Sequence, residues 1–245
     1  MRLSSASGTA SVQTASLDLP ILSEIFGRVP YGSVILAMYD PDSQYNSLMV
    51  NIAAGHLQSG GDLLYLISSK PVSEIRQQFD GLGVNVAEYE AKDNAVLFDV
   101  YSLQMGGKSS EKYRSTALNL NEVSIAQAES APKWPAGTLV IGESFSNMAL
   151  NQEDLFSKFS RKMISIWRNR GTVMIVGIAV DLHPPAFYQE MKLLSDGSFE
   201  VHLIEREGEM INTIRARSMK GQISDTRRRQ ILFDEKMKAS LRLLE

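Results

Sequence analysis

Residues 38–51, MYDPDSQYNSLMVN, decide how this chain is read. Before them lies GSVILA at 32–37, an apolar run of the kind that forms a buried strand. From Tyr45 onward the pattern turns helical, with Leu48, Met49, Ile52 and Ala53 on one face of a helix expected over 45–57. A loop between a buried strand and a helix is where nucleotide-binding proteins place a glycine-rich phosphate cradle. Residues 39–46 of this one, YDPDSQYN, contain neither glycine nor lysine.

The same alternation continues outward. Residues 19–26, LPILSEIF, predict a short helix ended by a Gly/Pro turn. GGDLLYLISS (60–69), NAVLFDVYS (94–102), GTLVIGES (137–144) and TVMIVGIAV (172–180) each supply a further buried strand. Between them, a helix is expected over 71–82, with Val72, Ile75, Phe79 and Leu82 on one face. The clearest helix spans 151–170, where Leu155, Phe156, Phe159, Met163, Ile166 and Trp167 form a stripe expected to be core, closed by Gly171. Residues 103–136 read as polar and irregular apart from a helix over 121–128, and DLHPPAF (181–187) reads as a loop. Beyond it, segments within 197–207, 209–219 and 227–234 alternate polar and apolar residues, as antiparallel strands do.

Apolar strands alternating with amphipathic helices make an α/β fold with a mainly parallel central sheet covered on both faces and C-terminal antiparallel strands. With no internal repeat or linker, a single domain is expected over 16–245, after a small, polar and flexible tail at 1–15. In such sheets ligands gather at the carboxyl ends of the strands, which puts YDPDSQYN and Glu143 at one edge.

Composition narrows the chemistry. The 245 residues are 44% hydrophobic and 22% charged, as in ordinary folded proteins. A net charge of -3 gives no global electrostatic case for nucleic acid or an anionic membrane. There is no cysteine, which excludes disulfides, thiolate catalysis and cysteine-based zinc sites. No apolar run is long enough for a membrane span, and the first residues lack the apolar core of a signal peptide, so a cytoplasmic protein is expected. His56, His183 and His202 lack metal-ligand spacing, so no metal site is expected.

The layout resembles the RecA-like P-loop ATPases, and within them the KaiC-type family of archaea and bacteria, FlaH-like proteins included. The likeness runs from about residue 17 to 233. Family members open with a segment such as LDELLGGGIPxGSxxLI, where this chain has LPILSEIFGRVPYGSVILA (19–37). Their PEEIIEQMKSFG and LRIIDAYS are matched by PVSEIRQQFDGLG (71–83) and AVLFDVYS (95–102). Near the end, their LADGVIxLxxExxxxxxxRxLxVxKMRGxxHS is matched by LLSDGSFEVHLIEREGEMINTIRARSMKGQIS (193–224). The resemblance implies a RecA-like three-layer domain.

It also implies where ATP would sit. The family's GxxxxGK[ST] falls on residues 39–46. Tyr39, Asp42 and Gln44 stand at positions that are usually glycine, Tyr45 replaces the lysine, and Asn46 replaces the Mg²⁺-binding Ser/Thr. Asp40 and Asp42 add negative charge, Pro41 removes an N–H donor, and Ser43 completes the loop. Each unit-charge pair at ~4 Å is worth about 1–4 kcal/mol between bulk water and a half-buried setting. Exchanging a lysine for two acids is therefore expected to weaken phosphate binding severely. Glu143 falls at the family's Mg²⁺-associated aspartate, while the catalytic glutamates after the second strand are replaced by SSKP (68–71).

The resemblance thus implies a retained fold and lost ATP chemistry, a degenerate Walker A motif and a pseudo-ATPase that needs no cofactor. Such a protein would be a structural or regulatory subunit, joined in a ring to its own copies or to an active paralogue. The family's KMRG-like segment lies at the subunit interface, which makes Arg215, Arg217 and Lys220 candidates for interface or phosphate contacts. Two alternatives stand beside this one. The first is an ATP-binding enzyme with an atypical Mg-ATP cradle using Glu143. The second is an accessory nucleic-acid-binding protein of the recombination-mediator type, using the basic clusters at 215–220 and 227–229.

Overall fold

A computed structural model describes residues 15–115 and 119–244. The tail expected over 1–15 lies outside the described residues except for Ala15. A ten-stranded sheet forms the centre. Its strands in chain order are β1 (Val34–Tyr39), β2 (Leu63–Ile67), β3 (Ala95–Asp99), β4 (Tyr113–Arg114), β5 (Leu139–Gly142), β6 (Val173–Ala179), β7 (Gly197–Arg206), β8 (Glu209–Met219), β9 (Arg229–Phe233) and β10 (Ala239–Leu243). In space they run β10-β9-β8-β7-β1-β6-β5-β2-β3-β4. Every pair from β7 through β4 is parallel, and β7 through β10 pair antiparallel. This is the expected mixed sheet, with two more strands, the short β4 and β10, than the sequence pattern suggested.

Helices cover both faces. The period of two in β1 sends Ile35, Ala37 and Tyr39 into one core and Val34, Leu36 and Met38 into the other. The first core is closed by α1 (Tyr45–Gln58) and α2 (Val72–Gly81), through Leu48, Ile52, Ile75 and Phe79. The second is closed by α3 (Leu120–Ser130), α4 (Glu153–Asn169) and α5 (Pro185–Leu194), through Val123, Phe156, Trp167 and Phe187. The whole of β1 is buried because neither face meets water.

Three expectations need amendment. Leu155 is not core: it lies at the margin of the α4 stripe, in the first turn, and is 51% exposed. The presumed loop at 181–187 contains the start of α5, because Pro184 and Pro185 initiate a helix rather than interrupt one. The polar region 103–136 holds β4 and the whole of α3, whose first turn is capped by the Asn119 side chain accepting from the N–H groups of Asn121 and Glu122.

Candidate functional site

The carboxyl ends of β1, β5 and β6 converge on one buried cluster of small, aromatic and acidic residues. Tyr39 ends β1, and Glu143 and Ser144 follow β5 directly. The strand β6 lies between β1 and β5, so side chains from those two must meet across it. They do so at Gly177. A Cβ on this residue would lie 2.1 Å from the backbone oxygen of Glu143 and 2.3 Å from the Tyr45 hydroxyl. Only glycine admits both neighbours, and the Tyr39 hydroxyl then donates to Ser144 Oγ at 2.5 Å.

Tyr45, the first residue of α1, folds back onto Tyr39. Their rings are parallel within 5° with centroids 3.9 Å apart. Tyr45 is buried, and its hydroxyl has no hydrogen-bond partner among the described residues. Burial, with Tyr39 and Glu143 nearby, holds that hydroxyl well above the usual tyrosine range, so it stays neutral. The helix after the central strand therefore begins with an uncharged ring packed into protein.

Glu143 is fully buried. Its Oε2 accepts from the N–H groups of Ser68 and Ser69, each at 3.4 Å, while Oε1 has no partner among the described residues. Burial pushes the carboxyl up from its ordinary value, against hydrogen bonds from Ser69 and Ser68 and the charge of Lys70. The SSKP segment thus serves as the donor lid over Glu143. The Ser68 hydroxyl also donates to the backbone oxygen of Ser144.

The loop itself is tied down by its own groups. The Asp40 carboxylate faces β7, bonding His202 Nδ1 and the N–H of Leu203, each at 2.9 Å. The backbone N–H of Asp40 donates to Val201 O at 3.0 Å, and that of Ser43 to Asp40 O at 2.9 Å. The N–H of Gln44 donates to Asn212 Oδ1 at 2.7 Å. Asn46 donates to Ser69 Oγ at 3.3 Å, and its Oδ1 is buried without a partner among the described residues. Asp42 is exposed and has no partner among the described residues. Three N–H groups of the loop are therefore spent on protein acceptors.

The fold has solved counterparts. The matching structures include a KaiC-like protein from the hyperthermophilic archaeon Pyrococcus horikoshii OT3, with a TM-score of 0.72 and 13% identity, covering 94% of this chain and 99% of that one. The fold is RecA/KaiC-like. No family model matches the chain, and no curated protein matches it. Among the described residues no helix is long and apolar enough to cross a membrane.

Within the KaiC-like fold the basic candidates do not form one patch. Arg215 and Arg217 share Glu200, at 3.1 and 3.5 Å. Glu200 pairs in register with Met38, so these arginines lie near the end of β1 that carries the loop. Lys220 lies beside the start of β1, donating through Nζ to Ser195 O at 2.5 Å and through its N–H to Asp196 O at 2.7 Å. In the cluster at 227–229, Arg227 and Arg229 both pair with Asp225.

Sequence reasoning named the loop and Glu143 but missed Gly177 and Ser144. A signal was present for Gly177. A glycine in the middle of a buried strand, as in TVMIVGIAV, marks close approach of another group.

Proposed function

We propose that this chain is a non-catalytic RecA/KaiC-like protein, a pseudo-ATPase that acts as a structural or regulatory subunit through ring-type association with its own copies or an active relative. The observation that carries this reading is the stack of Tyr45 on Tyr39. It fills the lysine position with a neutral ring and turns the start of α1 inward. The spent N–H groups of Asp40, Ser43 and Gln44 support the same reading, because a phosphate cradle needs such donors free. The burial of Glu143 behind Ser68 and Ser69 supports it further, since a carboxylate sealed from solvent offers little to Mg²⁺.

Association is the positive half of the reading. Arg217, with its side chain 48% exposed beside Glu200, is the interface candidate, whereas Lys220 is engaged in its own turn. Two measurements test the proposal together. Phosphate release from Mg-ATP is expected at the buffer level. Sedimentation velocity is expected to show an oligomer that Arg217→Glu weakens, or a complex with an active relative that the same variant weakens. Turnover that requires the intact chain, or a chain that stays monomeric and binds no relative, contradicts it.

A further inference from the structure

The strands β7–β10 extend the sheet past the helices that cover its second face. One face packs Val201, Ile214 and Ile231 into the first core. The second core contains no residue of β8–β10. Register places Glu200 beside Arg215, Thr213 beside Gln230, and Gln230 beside Arg242 on that uncovered face. The same alternation puts Arg228 there, and its guanidinium reaches Thr213 Oγ1 at 3.3 Å. A cavity of about 660 Å³ opens on this side, with Arg206, Glu207, Glu209, Gln230, Arg242 and Leu243 among its lining.

Two arginines of this face make no ion pair among the described residues. Glu200 already serves Arg215 and Arg217. Arg228 bonds only a hydroxyl, and Arg242 only an amide, Gln230 Oε1 at 2.6 Å. No carboxylate among the described residues pairs with either. Two guanidiniums, one on β10 and one just before β9, thus have no carboxylate bound to them, and guanidinium forks match carboxylates.

The neighbouring strand edge is also open. Among the described residues β10 ends the sheet and pairs only with β9. The N–H of Leu244 donates to Arg228 O, and that of Asp234 to Lys238 O, both at 3.1 Å. Antiparallel alternation then turns the backbone groups of Ala239, Leu241 and Leu243 outward. The N–H of Ala239 is taken by Asn51 Oδ1 at 2.8 Å. Among the described residues nothing pairs with the outward groups of Leu241 and Leu243, and Leu243 is 42% exposed.

We propose that this edge and the face beside it dock an extended acidic segment of a partner protein, which adds to β10 as a further strand. Its main chain pairs with the outward groups of Leu241 and Leu243. Alternate side chains place carboxylates beside Arg242 and Arg228, and apolar groups beside Leu241 and Leu243. Single-stranded nucleic acid fits less well, because the uncovered face carries no Phe, Tyr or Trp on which bases could stack.

The test is fluorescence anisotropy of the full chain with a labelled peptide of alternating glutamate and valine at low salt. An alternating lysine–valine peptide and an oligo-dT serve as comparisons. The acidic peptide alone is expected to bind. Arg228→Glu with Arg242→Glu should weaken it by about tenfold or more. Leu243→Pro removes one outward N–H while leaving the β9 ladder intact, so it should abolish binding without lowering Tm. Four results overturn the proposal: no binding of the acidic peptide, binding that survives both changes, tighter binding of oligo-dT, or a dimer of the free chain that Leu243→Pro dissolves. If Leu243→Pro fails to fold, the arginine pair decides alone.

Discussion

Tyr39 and Tyr45 lie at the two ends of one loop, and their rings stack in parallel with centroids 3.9 Å apart. One ends the central strand and the other begins the helix after it. The stack therefore fixes the strand-to-helix turn by aromatic packing, where a nucleotide-binding protein of this architecture would fix it around phosphate.

The two parts of Tyr45 make opposite contributions to stability. Its ring is buried, so Tyr45→Ala leaves a cavity and should destabilise by about 3–5 kcal/mol. Its hydroxyl is buried without a partner among the described residues, so Tyr45→Phe should be neutral or stabilise by up to about 1–3 kcal/mol. Urea denaturation of the two variants checks this. A large loss in Tyr45→Phe would mean that the hydroxyl has an essential partner.

Glu143 should make stability depend on pH in a defined direction. Its folded pKa is raised from the ordinary 4.5, so the folded state holds its proton more tightly than the unfolded state does. The contribution is favourable below the unfolded value and is lost as pH rises through the folded one. Glu143→Gln removes this dependence. The Tm of wild type relative to Glu143→Gln should therefore fall as pH rises above 4.5. A constant difference between pH 4 and 8 would contradict the buried, proton-holding carboxyl.

Gly177 allows Tyr45 and Glu143 to meet across β6. Gly177→Ala places a methyl 2.1 Å from a backbone oxygen and 2.3 Å from the Tyr45 hydroxyl. Overpacking of this kind should cost about 1–3 kcal/mol or more. Adding Tyr45→Phe should recover only part of the loss, because the Glu143 oxygen cannot leave. Full recovery in the double variant, measured by thermal melting, would place the crowding at the hydroxyl alone.

The sequence carried the central architecture because buried parallel strands read as unbroken apolar runs, as VILAMY and VMIVGIA do. It did not carry elements held by long-range contacts. The strand β10 is anchored by Asn51 from α1, and α5 begins with a Pro-Pro pair that resembles a turn. At the site, residue identities at 39–46 were legible, but the direction of each side chain was not. Asp40 looked like a charge aimed at phosphate, yet its carboxylate faces His202 and Leu203. The separation of Lys220 from Arg217 was hidden for a similar reason. A register shift between Ala216 and Ser218 and the following turn carry Lys220 to Ser195, beside the start of the central strand.

The most direct measurement is a thermal melt with and without saturating Mg-ATP, on the wild-type chain and on Glu143→Gln. A ligand at a hundred times its Kd would add about 2.7 kcal/mol to a chain that binds it only when folded. The closed loop predicts no shift in either protein. A clear upward shift in wild type that Glu143→Gln reduces would contradict it, and would make YDPDSQYN a working nucleotide cradle.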